Sequence, residues 1–324
     1  MLCREYSRQS QRRIIMKKTA LFLCIILLMS TLLFSCDLIK PNVPDQPEET
    51  EHNYADVIIF MGQSNMAGRG DASLAIPCGE GHAFEFKSVT DPTKLYPLEE
   101  PFGQKENNVG ISDVSGLDYK KSGGPVSAFC EAYFQATNVP VIAVSASQGG
   151  TNSSEWQPGY ALLEEAKNRL ELCLNYMYSQ DEYEVRNVFM VWLQGEGDAG
   201  NGMQYEEYSA NMRNIVDEMK SVGVQHCYLI SIGTYMKSLN PTRYDLYIKF
   251  GEMQAQMCAN YDNMTHVSRK LALMPESMMH LNNHYKQEAY NIVGNDAGKN
   301  TAYHVLTGKA PVCEPYVEGE TVLP

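Results

Sequence analysis

Four short apolar runs, each followed by a stretch with helical spacing, decide what this chain can fold into. The runs cover residues 57–60, 139–145, 188–193 and 227–232. Runs of that length, rich in Val and Ile and bounded by Gly, Gln and Asn, read as strands buried on both faces. Between and after them, apolar residues recur at the period of a helix. One such face carries Val126, Phe129, Cys130 and Tyr133 behind Gly124-Pro125, with proline suited to a first turn and Asn138 closing the helix. Another carries Leu162, Leu163, Ala166, Leu170, Leu174 and Met177, and a third Tyr205, Tyr208, Met212, Ile215 and Met219. Residues 246–261 and 286–298 supply two more. Strands alternating with helices imply an α/β chain whose mainly parallel sheet lies between helical layers, a three-layer α/β/α sandwich. Residues 68–122 show no such period and are expected to form a loop-rich surface beside the functional edge.

Three of the four strands run into polar or glycine-rich turns. The first ends in Gly62-Gln63-Ser64-Asn65, the second in Ser147-Gln148-Gly149-Gly150-Thr151, the third in Gln194-Gly195-Glu196-Gly197-Asp198. In a parallel sheet these turns meet at the carboxyl edge, where ligands bind. Together they hold the parts of an acyl-transfer site. Ser64 offers a hydroxyl, Gly150 a closely approaching N–H, Gln194 an amide donor, and Glu196 or Asp198 a carboxylate. A base must come from elsewhere. Of seven histidines, His52 lies in a polar tether, His82 in the long loop, and His226, His266 and His304 have no helpful neighbours. His280 and His284 remain, just before the last helix.

The amino terminus is of another character. Arg12, Arg13, Lys17 and Lys18 precede an apolar run over residues 20–33, shorter than the roughly 20 residues that span a bilayer. Leu33-Phe34-Ser35-Cys36 follows, so that residues 1–35 resemble a bacterial lipoprotein signal, with Met16 as a start and Cys36 as the lipid site. An uncleaved membrane anchor is the competing reading; both export the chain and place it at a membrane surface of the cell envelope. Residues 36–53 then form a proline-punctuated acidic tether, and residues 54–324 a single domain. The full chain has 26 basic and 39 acidic residues; removing 1–35 takes six basic and one acidic, leaving 20 against 38, a net charge of −18. A chain so acidic is a poor partner for nucleic acid, whose binding rests on phosphate contacts. Six cysteines follow Cys36 without metal-type spacing; most are expected as buried thiols, with one bridge allowed by the exported context.

Four motifs, in order over about residues 56–298, resemble those of the sialate O-acetylesterase and acetylxylan esterase group of the SGNH hydrolases. They are Gly62-Gln63-Ser64-Asn65-Met66, Gly149-Gly150-Thr151 with Trp156 following, Trp192-Leu193-Gln194-Gly195-Glu196, and the block from His284 through Tyr290 to Gly294. The resemblance implies an SGNH-type, flavodoxin-like fold. It also implies cleavage of an O-acetyl ester on a carbohydrate such as sialic acid or xylan; no motif calls for a metal or an organic cofactor. It makes Ser64 the nucleophile and His284 the base, with the Ser64 and Gly150 N–H groups and the Gln194 side chain holding the oxyanion. Gln63, Asn65 and Thr151 complete the substrate-binding set. Many SGNH enzymes carry an aspartate three residues before the histidine; here that position is Leu281, and Ser277 stands at the equivalent place before His280. The triad acid is then Glu196, with Asp198 behind it, or the site is a Ser-His dyad. The departure also raises the reading of a glycan-binding surface lipoprotein without turnover, and a further reading keeps the chemistry but makes the protein an O-acyl transferase.

Overall fold

The structure, a computed structural model, describes residues 53–106 and 121–322. The leader, Cys36 and nearly all of the tether lie outside the described residues. The first strand, β1 (Tyr54–Gly62), is the axis of the molecule. It pairs in parallel with β4 (Val141–Ser145) on one side and β5 (Glu184–Leu193) on the other. Outward from β5 come β6 (His226–Ile230) and β7 (Met264–Ser268), both parallel. Outward from β4 comes β2 (Ala83–Phe86), parallel, and then the antiparallel edge β3 (Leu95–Pro97). The order is β3-β2-β4-β1-β5-β6-β7.

Two separate cores explain why the strands read as unbroken apolar runs. Val57, Ile59 and Met61 of β1 face one cluster, and Ile58 and Phe60 the other. The first cluster is closed by α3 (Ala161–Tyr178), α5 (Tyr205–Ser221) and α6 (Pro241–Ala259). The second is closed by α2 (Val126–Thr137) and α7 (Gln287–Thr307). This is the expected three-layer α/β/α sandwich. The outer layers differ in intimacy. A Cβ on Gly294 would stand 2.2 Å from the Pro125 carbonyl oxygen, so glycine lets α7 press onto the start of α2.

Several elements depart from the sequence reading. The expected loop over 68–122 contains β2 and β3, and a strand β7 joins the far edge. The sixth helix begins at Pro241 rather than near 246, with Asn240 capping it by accepting from the Arg243 N–H at 3.0 Å. The last helix continues to Thr307. All six cysteines after Cys36 are free thiols, so the allowed bridge is not formed. Two short helices, α1 (Ser64–Ala67) and α4 (Glu196–Gly200), and a hairpin of β8 (Met279–Leu281) and β9 (His284–Tyr285) sit at the carboxyl edge of the sheet.

Candidate active site

Gly62 ends β1 with φ +128°, and a Cβ there would lie 2.1 Å from the Leu193 carbonyl oxygen. Only glycine tolerates that dihedral and that approach. The chain then turns sharply: the Gln63 N–H donates to Leu193 O at 3.0 Å, and Ser64 opens α1 directly beyond the sheet. Ser64 is 5% exposed, with its hydroxyl toward a cavity of about 290 Å³.

His284 arrives from the opposite end of the sequence. The β8–β9 hairpin turns through Asn282, whose φ of 43° is left-handed, a conformation asparagine accepts better than most residues. The hairpin is fastened at three points. Met236 N–H donates to Asn282 O at 2.6 Å, Asn65 Nδ2 donates to Asn283 O at 3.1 Å, and the buried Tyr285 hydroxyl accepts from Thr234 N–H at 2.7 Å. His284 Nε2 consequently stands 2.9 Å from Ser64 Oγ, across 220 positions of sequence. Burial pushes the imidazole down to about 4, and the positive charges of Arg69 and His280 push the same way. The ring is therefore neutral at physiological pH and able to accept the Ser64 proton. His280 is exposed on β8 and does not meet the serine. His82 pairs with Glu131 at 2.8 Å, and His226, His266 and His304 bond to Thr265, Ser231 and Tyr228 respectively.

Glu196 reaches the same cavity but not the imidazole. Its carboxylate accepts from Gln63 Nε2 and from Asn65 Nδ2, the latter at 2.5 Å. Asn65 in turn accepts from the Tyr290 hydroxyl at 2.7 Å. Burial raises the Glu196 carboxyl to about 7 in spite of these donors. The residues expected to form a triad are thus brought together only in part: Ser64 meets His284, while Glu196 braces the turn that carries Ser64. Asp198 is not among the residues that line the cavity and accepts from Ser153 N–H and Oγ and from Gln194 Nε2.

Other expected contact residues also prove to be struts. Gln194 Nε2 donates to Thr151 O at 3.0 Å and to Asp198, which leaves no amide hydrogen for an oxyanion. Its Oε1 is buried without a partner among the described residues. Thr151 Oγ1 donates to Gln148 O and accepts from Trp156 Nε1, both at 3.0 Å. Trp156 is wholly buried against Trp192, so it belongs to the core. Gln63 and Gly150 do line the cavity, with Gly150 at φ +76°. The sequence reading missed Arg243, Tyr247 and Asn283, which also line the cavity. The signal for the first two was Asn240-Pro241, a cap and first-turn proline that start the helix early enough to bring residues 243 and 247 to the cavity. Among the described residues, no group of three or more His, Cys, Asp or Glu side chains is placed to hold a metal ion.

A hydroxyl in contact with an imidazole at the carboxyl edge of a parallel sheet is the arrangement of an ester hydrolase. Residues 54–298 match the profile of the family described as carbohydrate esterase, sialic acid-specific acetylesterase, and the chain belongs to that family. It is a carboxylic ester hydrolase. No curated protein matches the sequence. Among solved structures, a protein from Arabidopsis thaliana superposes with a TM-score of 0.58 at 20% identity, over 77% of this chain and 98% of that one. A carbohydrate acetylesterase from Xanthomonas citri gives 0.45 at 15% identity, over 78% of this chain and 57% of the other. An acetyl xylan esterase from Geobacillus stearothermophilus gives 0.40 at 12% identity, over 81% and 99%.

Proposed function

We propose that the protein removes O-acetyl groups from a carbohydrate through an acyl-enzyme on Ser64, with His284 as base and no carboxylate behind it. The observation that carries this reading is the 2.9 Å contact between Ser64 Oγ and His284 Nε2 inside a small cavity. His284 takes the hydroxyl proton as Oγ attacks the acetyl carbonyl carbon. The resulting imidazolium gives that proton to the sugar oxygen as the C–O bond breaks, and water then releases acetate by the same steps. The N–H groups of Ser64 and Gly150 are the donors for the oxyanion, since neither has an acceptor among the described residues. A cavity of about 290 Å³ suits an acetyl group better than a long acyl chain. Cys36 carries the lipid that holds the enzyme at a membrane surface.

Turnover of p-nitrophenyl acetate, and acetate release from acetylated sialic acid and xylan, test the reading. Ser64→Ala should abolish both. Persistent turnover in that variant, or binding of acetylated glycans without turnover by the unaltered protein, would refute it. Transfer of acetyl to an added sugar in place of acetate release would replace hydrolysis with acyl transfer. For the anchor, Cys36→Ser should move the protein from the membrane to the soluble fraction; retention at the membrane would contradict it.

A further inference from the structure

We propose that the Tyr247 hydroxyl reads a free hydroxyl of the sugar beside the acetylated carbon, so that the enzyme acts on partly acetylated sugars and discriminates against esters that offer no such group. The proposal rests on the esterase reading of Ser64 and His284 and adds to it a specificity residue.

Tyrosine is buried at six of the described positions. At five of them, Tyr133, Tyr208, Tyr228, Tyr285 and Tyr290, the hydroxyl is spent on a partner inside the fold. Tyr247 is the exception. It is 4% exposed, and its ring belongs to the first core cluster and packs edge-on to Tyr235 at 5.8 Å. Its hydroxyl, however, bonds to nothing among the described residues. A phenylalanine would fill the same space, and a buried hydroxyl without a partner costs stability, so the oxygen needs a reason to be there. Its place supplies one, because Tyr247 lines the same cavity as Ser64 and His284. Gly200 is also in the lining. The first atoms that a Cβ there would meet beyond its own helix are Tyr247 Oη at 3.9 Å and Arg243 Cζ at 4.0 Å, so glycine keeps the space before the hydroxyl open. Burial, and next the charge of Glu196, hold the phenol above its ordinary range, so it keeps its proton and can donate.

An acetyl ester brings three parts into such a cavity. Its carbonyl oxygen takes the Ser64 and Gly150 N–H groups, and its methyl has no use for a hydrogen bond. The alcohol is what remains for Tyr247. On a partly acetylated sugar the carbon next to the ester carries a hydroxyl, which both donates and accepts, as a phenol does. A site of this kind gains a bond from the right substrate and is left with an unpaired buried group by a wrong one. Discrimination of that form is sharper than any that an apolar pocket provides.

The test is kcat/KM of Tyr247→Phe on mono-O-acetylated methyl xyloside and on mono-O-acetylated sialic acid. Each is divided by kcat/KM on p-nitrophenyl acetate, which carries no sugar. For at least one of the two sugar esters the ratio should fall about tenfold from its value in the unaltered protein. On the deoxy counterpart of that ester, with hydrogen in place of the neighbouring hydroxyl, it should change by less than about twofold. The variant should melt no lower than its parent, because the phenol has no bond to lose. The proposal is overturned if both ratios stay within about twofold, if the deoxy counterpart loses as much as the hydroxylated ester, or if the melting temperature drops. It is also overturned if the unaltered protein turns over p-nitrophenyl acetate and neither sugar ester. Failure on p-nitrophenyl acetate itself sinks the esterase reading, whereas a ratio that stays in place sinks Tyr247 alone.

Discussion

Leu281→Asp should turn the dyad into a triad. Leu281 is the cross-strand partner of His284 in the β8–β9 hairpin, and it is 55% exposed. Directly opposed residues have Cβ atoms about 4.5–5.5 Å apart, so a carboxylate at 281 faces the imidazole ring. With a separation of about 5 Å and an effective dielectric near 40, fitting an exposed position, the attraction is about 1.7 kcal/mol, or about one pKa unit. The neutral imidazole is the active form, so activity falls as pH drops through the His284 pKa. In the unaltered protein that fall should be centred near 4, where burial, Arg69 and His280 hold the group. In Leu281→Asp it should move up to about 5, and kcat at pH 7 should rise about tenfold as the ring gains basicity and a fixed tautomer. Stability should change by less than about 0.5 kcal/mol, since the leucine is exposed. The assay is kcat/KM for p-nitrophenyl acetate from pH 3.5 to 8, with Leu281→Asn as the uncharged control. An acid limb already between 6 and 7 in the unaltered enzyme would refute the reasoning, because a carboxylate would then be facing the ring. So would a limb that stays in place on adding the aspartate.

Other substitutions separate bracing from chemistry. Glu196→Gln sets an amide against the donors of Gln63 and Asn65; kcat should fall about 10–100-fold with the acid limb still near 4, whereas a loss near 10⁴ with a shifted limb would restore Glu196 as the orienting acid. Gln194→Ala should lower stability by about 2–4 kcal/mol in denaturant melts, by opening a cavity and orphaning Thr151 O, with less than about a tenfold loss in kcat. A loss of 10²–10³ in kcat at unchanged stability would make Gln194 an oxyanion donor after all. Gly62→Ala should cost about 3 kcal/mol or more, because its Cβ meets Leu193 O, and a melting temperature equal to the parent's would contradict the geometry of the turn.

The sheet and its ends were legible because burial on both faces leaves a signal that no neighbour can hide. Residues 57–60 and 188–193 are apolar without interruption for that reason, and their glycine turns stand out against them. The elements that escaped are short or mixed. The strand β2 has four residues and includes a buried Glu85, and β7 reads Met-Thr-His-Val-Ser, in which no period can establish itself. At the site, sequence could identify which groups were present but not which way they faced. Gln194 and Glu196 lie two residues apart in one turn; Glu196 reaches the cavity, while Gln194 Nε2 is engaged beneath it by Thr151 and Asp198. Asp198 is four residues from Gln194, but Thr151, and the Gln63 and Asn65 that hold Glu196, lie more than 40 residues away, and only folding brings them in.

In the proposed mechanism the base His284 is positioned without an acid. An orienting aspartate holds the ring in place and stabilises the imidazolium that forms. Here the first task falls to the hairpin: Tyr285 is buried with its hydroxyl tied to Thr234 and Leu271, and the turn is pinned by Met236 and Asn65, so the backbone carrying the ring has little room to move. The second task has no substitute among the described residues, and burial with the charges of Arg69 and His280 holds the ring down at about 4. A base held near 4 draws the serine proton weakly, yet its conjugate acid gives that proton up readily to a departing sugar oxygen. The missing carboxylate therefore penalises attack and favours departure of the alcohol. Such a balance fits esters of poor leaving groups, and sugar hydroxyls are among them.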